Sequence, residues 1–422
     1  MGELMRKSRR VNVCVIGGGL AGSFAAIAAA RHGARVALMQ DRPMLGGNSS
    51  SEIRMWVSGA GSRVRNLQET GIMEEVLLEN MHRNPTRNFS IWDSVLYEKV
   101  KGEENIELLL NCACCFAEYE GGRIRNVTGF QLTTYTWQKV EADIFIDCSG
   151  DSILAELVDA EYMVGRESGE TFGEAWGLEK ADRKTMGMSL MIQAHETDHK
   201  CEFIPPKWAY CFKTDEDMKC KPHDCLNHIE TNFYWIELGG EADSIHDTEE
   251  IRDELLKIAY GVWDHIKNQG DHGADNWELD FIGFLPGKRE SRRYVGDYVL
   301  TQQDVENAAR FPDEVAYGGW LTAAIRILQG GYSCLVLEQH NLPGGFAISG
   351  AGGGHLQKKR LAEPYGIPLR SLYSVNVENL MFAGRNISAS HIAFATTRVM
   401  ATCGVMGQAA GTAAAMMTRY GM

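Results

Sequence analysis

Hydrophobic positions cluster first in "VNVCVIGGGLAGSFAAIAAARHGARVALMQD", and their pattern changes three times within it. The apolar run 11–16 ends in three glycines, an alanine-rich stretch follows, and Gly33 separates that stretch from a second apolar run. The order reads as strand, glycine turn, helix, strand, with Ala25, Ala26, Ala28, Ala29 and Ala30 keeping the helix thin and Gly33 ending it. In "ADIFIDCSGD" another apolar strand, Asp143 to Cys148, runs into Ser149-Gly150-Asp151. Near the C-terminus a strand over 380–383 leads through a glycine turn to an Ala/Gly-rich helix expected to start near Gly404. From Glu161 to Gly283 polar and aromatic residues alternate, as in "KWAYCF" and "NFYWIELGG", which reads as a sheet covering a site. One helix stands out there: Ile251, Leu255, Ile258, Val262 and Ile266 share a face, Asp247 or Thr248 is placed to cap it, and Gly270 ends it. The block 321–359 is glycine-rich with weak periodicity and has the character of a shifted reading frame or a divergent insertion.

Composition narrows the classes. A chain of 422 residues, 44% hydrophobic, buries a large core and is long enough for two domains. A net charge of −14 argues against nucleic acid or an anionic membrane as partner. No apolar run reaches the roughly 20 residues that span a bilayer. Eleven scattered cysteines, an odd number, fit reduced cytoplasmic thiols better than a disulfide framework.

The basic start "MGELMRKSRR" before an apolar run raises the possibility of a secretory signal. The glycines at 17–19 break the apolar segment with poor helix formers, and the strand that follows completes a βαβ unit instead. In that unit the spacing Gly17, Gly19, Gly22 assigns a task to each glycine. Gly17 permits the tight turn, Gly19 lets the backbone approach a pyrophosphate, and Gly22 lets the helix pack on the strand, while the helix N-terminus offers N–H groups to phosphate. Gln40 falls where an acidic ribose ligand is expected, with Asp41 next, so the ribose contact lies between these two.

Three further segments decide between nicotinamide and flavin: "RPMLGGNSSSEIRMW", where Gly46-Gly47 let the backbone pass close to a flat ligand, "ADIFIDCSGD", and "NVENLMFAGRNISASHIAFATTRVMATCGVMGQAAG". Together they resemble the two-dinucleotide-binding-domain flavoproteins, and within them the FAD-dependent oxidoreductases with GGNSSSE-x-R and AGRNISA[ST]H segments. The resemblance covers most of the chain, including "GFLPGKRESRRYVGDYVLT" and "PYGIPLRSLYSVNVENLMFAGRN". It implies an α/β fold: a Rossmann-like FAD domain of the glutathione-reductase type with an inserted α+β substrate domain, divided as 11–160, 161–283 and 284–422. It implies FAD held noncovalently, its pyrophosphate on Gly17, Gly18, Gly19, Ala21 and Gly22, with Gly46, Gly47, Asn48, Ser49 and Gly150 also on the cofactor. Gly384 would lie by the ribityl-phosphate side, Arg385 would pair with a phosphate, and the helix with Gly404 and Gly407 would aim its N-terminus at the flavin ring. Plain close packing would explain Gly384 and Gly404 equally well.

The implied activity is hydride transfer between FAD and a small polar molecule such as a sugar or hydroxy acid. The proton-transfer candidates are His391 and Glu52, with Arg54 and Arg398 as substrate anchors. Arg289, Arg292 and Arg293 in "GKRESRR" either anchor substrate or pair with carboxylates at a domain seam. The alternative is an electron-transfer subunit serving an acceptor protein, distantly similar to the flavin subunit of heterodisulfide reductase and carrying a 4Fe–4S cluster. The cysteines 112, 114, 115, 201, 211, 220 and 225 lack regular ligand spacing, so no metal ligands are assigned.

Overall fold

The computed structural model describes residues 4–60, 67–218, 233–319, 346–348 and 363–421. Its first strand, β1 (Met5–Ile16), begins six residues before the apolar run. The basic segment joins the sheet because β6 (Thr136–Asp147) pairs with it from Met5 opposite Thr136 to Ile16 opposite Asp147. What resembled the charged start of a signal is thus the solvent-facing half of a strand. Helix α1 (Leu20–Arg31) follows, then β2 (Val36–Met39), α2 (Ile72–Arg83), α3 (Phe89–Lys101), β3 (Ile106–Leu109), β4 (Cys112–Glu120) and β5 (Arg123–Gln131). The sheet runs β3-β2-β1-β6-β5-β4; the first three pairings are parallel, whereas β4, β5 and β6 form an antiparallel meander. Every α1 residue from Leu20 to Ala30 is buried, as a helix of small residues between two layers must be.

A second, antiparallel sheet is built from β7 (Met188–Glu196), β8 (Phe233–Leu238), β9 (Trp277–Ile282) and β10 (Phe346–Ile348), in the order β9-β7-β8-β10. Helix α4 (Thr248–Asn268) lies on it, and Ile251, Leu255, Ile258, Val262 and Ile266 are all buried in a core of their own. Neither expected cap operates: the Asp247 carboxylate accepts from Asp243 N–H, and Thr248 Oγ1 donates to Ser244 and Ile245 carbonyls. Strand β10 is the described part of the block 321–359; the rest of that block lies outside the described residues.

The chain returns to the first sheet through β11 (Leu380–Phe382), parallel to β6, then α5 (His391–Thr397) and α6 (Met400–Tyr420). Helix α6 starts four residues before Gly404, which corrects the expected start. Gly404 and Gly407 lie inside it, against α1: a Cβ on Gly407 would stand 2.0 Å from Ala21 O, and one on Gly404 would stand 2.8 Å from the Phe24 ring. Close packing of two helices accounts for both glycines. None of the helices among the described residues is long and apolar enough to cross a membrane.

Candidate functional site: a glycine cradle and a buried histidine–carboxylate group

At the end of β1 three glycines meet three different constraints. Gly17 has φ +95° and a Cβ there would lie 2.4 Å from Cys148 O; one on Gly22 would lie 1.8 Å from Gly17 O. The fold itself excludes a side chain at both. Gly19 has ordinary dihedrals, φ −63° and ψ −177°, and among the described residues nothing lies nearer to its Cβ position than Gly47 Cα at 3.9 Å. The described residues therefore leave the space beside Gly19 open, as close approach of a ligand requires. Among the described residues no side chain caps α1, and no acid sits in its first turn, so the positive dipole end of the helix is directed to that space. Gly46 (φ +100°) and Gly47 (φ +58°) form the opposite wall, docked by Gly46 N–H donating to Gly18 O at 2.8 Å.

The side chains around this cradle are partly committed to holding it. Gln40 is buried; its Oε1 accepts from Gly18 N–H at 2.6 Å and its Nε2 donates to Met44 O. Its amide braces the turn rather than facing a ribose, which corrects one of the two ribose candidates; Asp41, one residue on, is exposed. Ser49 Oγ donates to Gly46 O and accepts from Trp92 Nε1, and Asn48 Nδ2 donates to Lys288 O. Ala21 presses its Cβ against the Gly384 turn (φ +107°), 3.1 Å from where a Gly384 Cβ would be. Arg385 is likewise spent. It donates to Asp151 at 2.7 Å, to Gly150 O at 3.0 Å and to Lys288 O, so it ties the return segment to the end of β6 and is not offered to a phosphate. Beneath them Asp147 is wholly buried, and burial raises its carboxyl pKa although Ser149 and Tyr294 donate to it.

The segment 288–293 joins these parts to the catalytic candidates. His391, the first residue of α5, is buried with Nδ1 2.8 Å from Glu290 Oε1, while its backbone N–H donates to Glu167. Burial pushes the Glu290 carboxyl up, but His391 and then Arg293 overcome this and hold it below its ordinary range. Arg398 caps the far end of α5, seven residues on and so on the same helix face. Burial lowers its pKa, Arg289 adds to this, and its enclosed Nε has no hydrogen-bond partner among the described residues. Arg289, Arg292 and Arg293 pair with Glu237, Glu156 and Glu167, as the carboxylate-pairing alternative expects.

Glu52 and Arg54 stand on the other wall. Glu52 is partly buried, which raises its pKa despite Arg42 at 3.7 Å. Arg54 has φ +64°, uncommon for a residue with a side chain, and reaches the second sheet, donating to Gln193 at 2.9 Å with its guanidinium 3.9 Å from the Phe281 ring centre. Burial lowers its pKa, with Asp280 and Asp93 opposing. Sequence reasoning missed Glu290, Glu167 and Asp147. Glu290 carried a signal, a lone acid among four basic residues in "GKRESRR". Among the described residues no three cysteine sulfurs come within ligand spacing, and burial raises the Cys112 thiol to about 12. Cys220, Cys225 and Cys334 lie outside the described residues.

A parallel sheet, a Cβ-free turn at a helix N-terminus and a second glycine loop closing over it define a Rossmann-like dinucleotide-binding protein. The family model described as FAD dependent oxidoreductase matches residues 12–422, and the chain belongs to that family. FAD is its cofactor, and the open cradle at Gly19 fits the pyrophosphate. No curated protein matches the sequence. Among solved structures it is similar to a geranylgeranyl bacteriochlorophyll reductase-like protein from Thermoplasma acidophilum, at 14% identity over 98% of this chain and 79% of that one, TM-score 0.38. It is similar to an E. coli quinol fumarate reductase at 13% identity over 99% and 72%, TM-score 0.36. A glycerol-3-phosphate dehydrogenase from Bacillus halodurans, solved with FAD, matches at 12% over 47% and 44%, TM-score 0.29.

Proposed function

We propose that this FAD-dependent oxidoreductase moves a hydride between FAD and a small hydroxy acid. The observation that carries this reading is the His391–Glu290 pair, with His391 and Arg398 on one face of α5. The Glu290 carboxylate engages Nδ1–H and leaves the lone pair of His391 on Nε2, the arrangement of an oriented general base. Arg398 presents an enclosed donor that lacks a protein partner among the described residues, and an unmade hydrogen bond of that kind is costly. A substrate carboxylate satisfies it, which favours a hydroxy acid over an uncharged sugar. When bound, FAD supplies the two-electron acceptor for the hydride. His391 Nε2 takes the hydroxyl proton, Glu290 stabilises the resulting imidazolium, and Arg398 holds the carboxylate. Gly19, Gly46 and Gly47 leave room for the cofactor's phosphates.

The test is anaerobic flavin bleaching across hydroxy acids, polyols and sugars, followed by rapid mixing with the active compound. His391→Ala should keep FAD but slow flavin reduction by roughly a hundred- to ten-thousand-fold. An unchanged rate and pH profile would make His391 structural and move the base to Glu52. Bleaching by polyols alone would remove the carboxylate from the substrate class.

A further inference from the structure

The second domain carries a side-chain cluster that the flavin site does not use. His265 is wholly buried near the C-terminal end of α4, His272 lies in the turn beyond it, and Asp215 opens the short helical turn Asp215–Met218. His265 Nδ1 lies 2.8 Å from Phe212 O and donates to it, which turns Nε2 toward Asp215. The two imidazole rings are 4.9 Å apart and tilted by 39°. Asp215 Oδ1 stands 3.4 Å from His265 Nε2 and 3.5 Å from His272 Nε2. All three ligand atoms fall within 4.8 Å of one another.

These separations are longer than a well-formed N–H···O bond of about 2.7–3.2 Å. They approach the edge of a tetrahedron whose ligands lie about 2.0–2.1 Å from a central zinc, roughly 3.3–3.4 Å. The local chain is shaped to keep them there. Asp217 accepts from Lys213 N–H at 2.9 Å and Thr214 N–H at 3.0 Å, fixing the turn that presents Asp215. A Cβ on Gly270 would lie 2.7 Å from His272 Nε2, so glycine at that position gives the imidazole its room. Asp215 is the exposed member of the three.

We propose that Asp215, His265 and His272 bind one divalent transition-metal ion of the zinc class, clamping the 212–217 turn to the end of α4. Two imidazole nitrogens and one carboxylate suit such an ion and are a poor set for magnesium or calcium, which take oxygen ligands. The clamp joins segments about fifty residues apart within the second domain, so it stabilises that domain without entering the redox chemistry.

The experiment uses the untagged full-length chain, stripped with chelator and titrated with Zn²⁺. Elemental analysis should find one zinc per chain, and the thermal midpoint should rise by several degrees at zinc concentrations hundredfold above Kd. X-ray absorption should show a nitrogen and oxygen shell near 2.0–2.1 Å that includes imidazole. His272→Ala and Asp215→Asn should each weaken zinc binding at least tenfold while FAD content is kept. If a variant loses FAD and does not fold, Co²⁺ titration of the native chain decides instead, since a tetrahedral site gives intense visible bands. Absence of stoichiometric binding, native affinity retained in both variants, or a sulfur shell near 2.3 Å overturns the assignment.

Discussion

Two glycine sets lie on either side of α1, and they use the missing Cβ for different ends. At its N-terminus Gly17 and Gly22 are demanded by protein backbone at 2.4 and 1.8 Å, whereas Gly19 faces open space. Along its flank Gly404, Gly407 and Gly411 of α6 face Phe24, Ala21 O and Ala25 O, the last two at 2.0 and 2.1 Å. The first set leaves one position open among the described residues; the second is filled chiefly by the neighbouring helix. Composition is alike in the two, and what separates them is whether the empty volume is filled by the chain itself.

Matched substitutions break or sharpen that contrast. Gly407→Ala should be the most damaging, because its Cβ meets backbone that can move only by separating the helices; overpacking of this kind costs about 1–3 kcal/mol or more. Denaturant unfolding measures it. If the variant is as stable as the native chain yet sheds FAD, α6 touches the cofactor and the two sets are alike after all. Gly19→Ala should behave in the opposite manner. Apoprotein stability should change by less than about 1 kcal/mol, since the residue is a cap with ordinary dihedrals. FAD affinity should fall at least about tenfold, near 1.4 kcal/mol, by fluorescence titration. Retained affinity would place the pyrophosphate elsewhere.

The smallest effect concerns how α1 is tied to α2. The Arg31 hydrogen bond is the largest influence lowering Glu75 from its ordinary 4.5 to about 2; burial opposes it, and Lys99 assists. A carboxyl lowered in the folded state contributes stability above its unfolded pKa and loses it as pH falls through the folded value. Glu75→Gln should cost at most about 1 kcal/mol at neutral pH, because the pair is partly exposed. The gap to the native chain should close between pH 4.5 and about 2. A gap that persists at lower pH would mean that packing, not charge, joins the helices.

The sequence by itself determined the βαβ unit, the tasks of Gly17 and Gly22, the existence of the strand read as 143–148 (observed as Thr136–Asp147), and the buried face of α4. Each of these is a local periodicity or spacing, and backbone geometry converts it directly into a turn or a buried face. It did not determine what each face meets. Gln40 was placed at the ribose by its distance from the glycines, yet its amide finds Gly18 N–H at 2.6 Å and braces the turn. Arg385 was placed on a phosphate, yet β11 beside β6 delivers it to Asp151, 234 residues away in the chain. His391 was legible as a titratable residue after a cofactor turn, but not its pairing with Glu290, 101 residues earlier. Charge pairing across such separations depends on which strands and helices come to lie side by side. Only the tertiary structure decides that, because a buried charged group takes the partner that packing supplies rather than the one nearest in sequence.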